Sequence, residues 1–223
     1  MKINILQDVL QANDRIAEEN RQFFKKNHNL VLNLMSSPGA GKTSLLEKTA
    51  EKLAGKLRLG VIVGDIETTR DADRISKFNI PTIQLTTGTE CHLDANMVAS
   101  ALPHLELDKI DILVIENVGN LVCPAEFIVG EDFKIMILSI PEGDEKPLKY
   151  PLMFHESALM LINKTDLLQY TNFNLESARA NARKINPAID IIEMSCINGT
   201  GLDEWVSWLT ARYHEKLSGA GRA

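Results

Sequence analysis

The sequence predicts an α/β fold, a mainly parallel sheet covered by helices on both faces. Three observations carry that expectation. Short, continuously apolar runs alternate with longer amphipathic ones, as buried parallel strands alternate with crossover helices. The first apolar run leads directly into a Gly-rich turn and a helix. Hydrophobic residues make up 44% of the 223-residue chain, an ordinary share for a globular protein, and no internal repeat or long linker divides it.

Each element follows from local pattern. Residues 4 to about 27 read as a helix, because Leu6, Val9, Leu10, Ile16, Phe23 and Phe24 recur at roughly helical spacing with charges between them. Asn27-His28-Asn29 ends it. A strand over 30–35, a helix over 44–53, a strand over 58–63 and a short third strand over 81–85 come next. Asp94 is an N-cap candidate for a helix over 94–102. Strands over 110–115, 133–140 and 158–162 precede a helix over 175–184, a strand over 189–193 and a last helix over 202–217. The expected organisation is an N-terminal helical extension over residues 1–28, one domain over 29–217, and a flexible tail over 218–223.

Composition excludes some functions. A net charge of -6 argues against general nucleic-acid binding, which usually brings a clustered basic face. No apolar run approaches the roughly 20 residues a membrane span needs, so no membrane role is expected. The first residues lack the basic start and apolar core of a signal peptide, which makes the cytoplasm the default location. The three cysteines, Cys91, Cys123 and Cys196, are too few and odd in number for a disulfide framework. Each is core filler, a reactive thiol or a metal ligand.

The turn after the first strand, Ser36-Ser37-Pro38-Gly39-Ala40-Gly41-Lys42-Thr43-Ser44, follows G-x-x-x-x-G-K-[ST], with Ser36 where the first Gly is expected. Gly39 and Gly41 let backbone N–H groups, with those of Ser37, Ala40 and Ser44, turn toward phosphate oxygens. The helix start adds its positive dipole end. Lys42 is placed to reach the β- and γ-phosphates, and Thr43 to offer a hydroxyl to Mg2+. An ordinary Gly-rich turn is the alternative, but strand, loop and helix stand in the order a phosphate loop requires. This pattern makes the fold a three-layer α/β/α P-loop NTPase. Asp65 and Glu116 end predicted strands, where ligands of such sheets bind. Either can serve Mg2+ directly or through water, or can cap a helix. Glu116-Asn117-Val118-Gly119 stands where P-loop GTPases carry an acidic-x-x-Gly γ-phosphate sensor, usually with Asp. Lys42, Asp65 and Glu116 are the catalytic candidates.

Asn163-Lys164-Thr165-Asp166 ends another predicted strand and resembles the N-K-x-D motif of GTPases. A carboxylate suits guanine because it accepts from the ring N–H and the exocyclic amino group together, a donor pair adenine lacks. The resemblance implies that Asp166 reads the base, Lys164 packs on the ring and Asn163 braces the loops. Ser195-Cys196-Ile197-Asn198-Gly199 looks like the loop completing the guanine pocket, with Ser195 and Cys196 contributing backbone contacts.

Cys91-His92 precedes a helix, and Cys123-Pro124 follows the γ-phosphate sensor by a few residues. Two thiolates and an imidazole suit Ni2+ or Zn2+. Adjacent Cys91 and His92 are not expected to ligate one ion easily, and three ligands are too few for a closed structural site. An open, exchangeable or subunit-bridging site fits better. Buried core filler is the common fate of a lone cysteine, but both cysteines lie in polar, Gly-containing segments.

Thr87-Gly88-Thr89-Glu90-Cys91-His92-Leu93-Asp94-Ala95, Ile115 through Pro124, Pro141 through Pro151, and Gly64 through Arg74 together resemble the HypB family of hydrogenase nickel-incorporation GTPases over nearly the whole chain. The resemblance implies a GTP-dependent homodimer that hydrolyses GTP with Mg2+ and holds Ni2+ or Zn2+ at Cys91, His92 and Cys123. It also implies a HypA-type metallochaperone partner and delivery of nickel to the [NiFe]-hydrogenase large-subunit precursor. Many members carry an N-terminal Cys-rich or His-rich nickel motif. Here the first cysteine is Cys91 and the histidines, His28, His92, His104, His155 and His214, are scattered, so high-capacity nickel storage is not expected. The sister urease accessory GTPases carry Cys-Pro-His, whereas Ala125 follows Cys123-Pro124. The competing readings are a nucleotide-gated metal chaperone for another nickel enzyme such as urease, a metal chaperone whose nucleotide only sets its oligomeric state, and an ATP-dependent kinase on the same fold. Asp166 argues against the kinase.

Overall fold

In the computed structural model, residues 5–65 and 74–219 are described. Seven strands form one sheet: β1 (Leu30–Ser36), β2 (Leu59–Asp65), β3 (Thr82–Thr86), β4 (Ile112–Glu116), β5 (Phe133–Ser139), β6 (Leu159–Asn163) and β7 (Asp190–Glu193). The spatial order is β3-β2-β4-β1-β5-β6-β7, and every pairing is parallel. β1, β4 and β6 are buried along their whole length, which is why they read as unbroken apolar runs.

Alternation along β1 sorts the core. Leu30, Leu32 and Leu34 meet α2 (Lys42–Leu53) and α8 (Leu202–Leu217) on one face. Trp205 of α8 fills that layer, fully buried, and its indole N–H donates to Thr49 Oγ1 at 2.9 Å. Val31 and Met35 face the other way, toward α1 (Ile5–Lys26), α3 (Ala95–Ala101) and α7 (Leu175–Ile185). α1 lies on this face with Ala17 and Phe24 fully buried. Asn13 accepts from Ala95 N at 2.9 Å and donates to Ile128 O at 2.8 Å, and Asn20 donates to Ala95 O at 2.8 Å. Buried amides thus clamp the helix to the sheet's flank.

Element identities match the sequence reading, with shifts at the ends. α2 starts at Lys42, two residues earlier than expected, which puts Lys42 and Thr43 in its first turn. β4 runs to Glu116 rather than 115. α3 is capped as expected: Asp94 Oδ1 accepts from Met97 N at 2.7 Å. Short helices among the described residues went unpredicted, including α4 (Cys123–Glu126), α5 (Lys146–Lys149) and α6 (Pro151–His155), as did 3-10 turns such as Thr165–Tyr170. Each is too short to show a 3.6-residue period. Residues 66–73, within the Gly64–Arg74 segment of the resemblance, and most of the expected tail lie outside the described residues.

Candidate nucleotide and metal sites

Ser36, Asp65, Glu116 and Asn163 end β1, β2, β4 and β6, so all four stand at the carboxyl edge of the sheet. β1 lies between β4 and β5, the point where strand order reverses, and the phosphate loop leaves from there. Gly41 has φ 108, and a Cβ on it would collide with Asn163 Nδ2. Only glycine fits between these loops without movement. Gly39 also has positive φ, at 73.

Ser36 has a role in place of the expected glycine. Fully buried, its hydroxyl donates to Ser37 O at 2.7 Å and accepts from Lys42 Nζ at 3.1 Å. The serine therefore holds the lysine ammonium against the loop. Thr43 is buried beside it, and its hydroxyl donates to Glu116 Oε1 at 3.3 Å. Hydroxyl and carboxylate oxygens converging at a helix N-terminus are the hard donor set that Mg2+ takes. Asp65 joins the same edge at the end of β2, where Val63 is in register with Glu116. Ser44 Oγ accepts from Arg74, which also makes a two-pronged pair with Glu47 at 2.7 and 2.9 Å. A Cβ on Gly119 would lie 3.0 Å from Pro38 atoms, so the turn after Glu116 packs directly on the phosphate loop.

The base-reading candidates close the same edge. Asn163 donates to Ala40 O at 2.9 Å, a bond between its loop and the phosphate loop. Lys164, with φ 64, sends its ammonium to Gly39 O at 2.6 Å. Asp166 Oδ1 accepts from the fully buried Ser195 hydroxyl at 2.5 Å. Ser195 Oγ in turn accepts from Ile197 N at 3.2 Å and Asn198 N at 3.4 Å. Beside the expected backbone contacts, the Ser195 side chain thus bonds the Asp166 carboxylate directly. Burial pushes the Cys196 thiol up to about 11, so at neutral pH it is an uncharged neighbour of this loop.

A second cluster lies past Glu116. The ligand atoms of Cys91, His92 and Cys123 all fall within 4.8 Å of one another. Cys91 Sγ lies 2.9 Å from Cys123 Sγ and 3.9 Å from His92 Nδ1. Cys91 and His92, adjacent in the chain, therefore point to one locus. The chain bends at residues 91–92, so that successive side chains converge instead of alternating. Asn120 steadies it by donating to Cys91 O at 3.2 Å, and the His92 ring rests 4.1 Å from that of Phe127. Burial, then the adjacent Cys91, holds the Cys123 thiol above its ordinary range. Two sulfurs and an imidazole nitrogen suit a borderline divalent cation with a coordination position left open.

No sequence motif singles out Asn33, Asn117, Glu131 and Lys134, four buried polar residues. The available signal was a lysine inside the apolar run of β5 and an asparagine inside that of β1.

Residues 30–193 match the family described as CobW/HypB/UreG, nucleotide-binding domain. The hydrogenase maturation factor HypB of Escherichia coli (strain K12) is 54% identical over 202 residues, covering 91% of this chain and 70% of the relative. The hydrogenase/urease maturation factor HypB of Helicobacter pylori (strain J99) is 39% identical, over 96% of this chain and 89% of the relative. The crystal structure of HypB from Helicobacter pylori in complex with nickel superposes with a TM-score of 0.88 at 39% identity, covering 92% of this chain and 96% of that one. Fold, family match and identity agree: the chain belongs to the CobW/HypB/UreG nucleotide-binding family and, within it, to the HypB hydrogenase maturation factors.

Proposed function

We propose that this protein is a GTPase that carries nickel at Cys91, His92 and Cys123 and assists its insertion into [NiFe]-hydrogenase. One observation carries the reading. Glu116, bonded to Thr43 of the phosphate loop, and Cys123, beside Cys91, sit at the two ends of one short connection. Nucleotide state and metal site therefore share a piece of backbone. The HypB–nickel complex named above supports nickel as the cargo.

In this reading GTP and water give GDP and phosphate. Backbone N–H groups of Ser37, Gly39, Ala40, Gly41 and Ser44 cradle the phosphates, and Lys42 balances their charge. Thr43, Asp65 and Glu116 hold Mg2+ directly or through water, where it would neutralise charge on the β- and γ-phosphates. Asp166, aimed by Ser195, accepts from guanine, with Lys164 along the ring, Asn163 bracing and Cys196 beside the pocket. Residues 29–217 form the GTPase domain, with residues 1–28 as an N-terminal helix and 218–223 as a tail. The assembly is a GTP-dependent homodimer in the cytoplasm that receives metal from a HypA-type chaperone and passes it to the hydrogenase large-subunit precursor. Zn2+ competes for the same ligands. The hydrogenase/urease name of the Helicobacter relative favours a second reading, in which the nickel also reaches a urease.

Lys42→Ala tests the first step. Loss of one charge contact to the transferring phosphoryl group should lower GTP turnover about 100-fold or more. Near-normal turnover in a folded variant removes Lys42 from the reaction, and no turnover in the wild type leaves a nucleotide-gated metal carrier.

A further inference from the structure

We infer that Asn33, Asn117, Glu131 and Lys134 form a buried polar strut that positions the two halves of the Cys91/His92/Cys123 site against each other and against the turn after Glu116. The inference rests on the metal reading proposed above. The four side chains are at most 7% exposed, beside the face of the sheet to which Val31 and Met35 contribute. They form a continuous path. Leu93 N, next to His92, donates to Asn117 Oδ1 at 2.9 Å, which also accepts from Val118 N at 3.0 Å. Asn117 Nδ2 donates to Asn33 Oδ1 at 3.0 Å, and Asn33 Nδ2 to Glu131 Oε1 at 3.4 Å. Glu131 Oε2 accepts from Val129 N at 2.7 Å, and Glu131 Oε1 lies 4.0 Å from Lys134 Nζ. Lys134 Nζ donates to Ala125 O at 2.6 Å, two residues past Cys123. One end of the strut therefore grips the chain beside His92, and the other grips it beside Cys123.

The register explains why the path is short. Asn33 of β1 and Lys134 of β5 are in register on neighbouring parallel strands, so their side chains leave the sheet together on one face. Burial draws the Lys134 ammonium below its usual range, opposed by Glu131 and then by Glu156 and Asp14. A buried ion pair is weak evidence for a role in stability, since apolar residues of the same size often serve the fold as well. What this pair holds is backbone next to metal ligands. Groups that orient metal ligands from outside typically change metal affinity by about 10- to 100-fold when removed. Asn117 stands at the branch of the path. It follows Glu116 directly, so movement of the turn after Glu116 is transmitted both to Leu93 and to Asn33.

The test uses the full chain with Ni2+ alone as the probe. Lys134→Met cuts the strut at the Cys123 end, and Glu131→Gln with Lys134→Met removes both charges together. Nickel affinity is measured by competition with a chromophoric chelator in the GDP form and in a non-hydrolysable GTP-analogue form. The thiolate-to-nickel absorption is recorded alongside. The expected result is about tenfold weaker nickel binding, an altered absorption band and a smaller affinity ratio between the two nucleotide forms. GDP affinity should stay within about twofold of wild type, since neither residue faces the phosphate loop. A folded variant with wild-type nickel affinity, band and ratio overturns the strut. If both variants fail to fold, amide exchange on the wild type decides. Nickel loading should change exchange at Val129, whose N–H rests on Glu131; protection confined to 91–93 and 123–125 overturns the inference. Wild-type protein that binds no nickel removes the metal reading itself, and the strut with it. Wild-type binding with indifferent variants removes only the strut.

Discussion

Ser36 and Asp166 show what single residues settle at this site. A serine at the head of the phosphate loop departs from the general G-x-x-x-x-G-K-[ST] motif, yet its buried hydroxyl holds Lys42 Nζ at 3.1 Å. Asp166 has one carboxylate oxygen engaged by Ser195 at 2.5 Å, which fixes how the group is presented. Asp166→Asn replaces an acceptor by a donor, leaving guanine's N–H groups without their partner. GTP affinity should fall at least about 100-fold, and xanthosine triphosphate, which has a carbonyl where guanine has an amino group, should become the preferred nucleotide. Competition between labelled GTP and xanthosine triphosphate reads this directly. An unchanged preference for GTP removes Asp166 from base recognition. The identities of these residues were legible in the sequence, because motif spacing is a local property. The Ser195 hydroxyl's role was not, since Asp166 and Ser195 meet only once β6 and β7 pair.

Between elements, two contacts lend themselves to measurement. The turn after β4 rests on the phosphate loop through Gly119, where an added Cβ would stand 3.0 Å from Pro38. Gly119→Ala should push these elements apart by a few tenths of an ångström and slow GTP hydrolysis about tenfold in a protein that still folds. Wild-type turnover would show that the two loops move independently. The second contact ties the start of β4 to Arg58 and to α8. Arg58, followed by Tyr213, holds the Asp111 carboxyl below its usual range. A folded-state value below the unfolded one contributes stability above about pH 4 and loses it as pH falls through the folded value. Asp111→Asn should therefore lower stability by about 1 kcal/mol at pH 7, Arg58 being more than half exposed, and the deficit should shrink toward pH 3. Urea midpoints at the two pH values check the sign. The long elements were legible because α2, α7 and α8 run for several turns and β1, β4 and β6 are buried throughout. α4 was not, although it carries Cys123: four residues show no period, and Pro124 at its start reads equally well as a turn.

At the scale of the whole molecule, the three candidate ligands would leave a metal ion with an open position, and a two-fold axis would bring two such sets together. A GTP analogue with Mg2+ should therefore yield a dimer by light scattering at roughly tens of micromolar protein, while the GDP form stays more monomeric. Monomer in both forms would remove dimerisation from the cycle. The three-layer fold was legible from alternation of element types. The strand order was not, because it depends on contacts between segments far apart in the chain. The same order bears on how the protein is made. β1, wholly apolar apart from Asn33 and Ser36, pairs only with β4 and β5, so Leu30 waits for Ile112 and Leu32 for Phe133. At roughly 5–20 residues per second, an emerging chain spends on the order of ten seconds with this strand synthesised and unpartnered. During that interval the phosphate loop exists without the sheet that will shape it. A ribosome-bound fragment ending before β5 should accordingly occupy holding chaperones and retain no nucleotide, and the capacity to retain it should arise only as the second neighbour of β1 clears the exit tunnel.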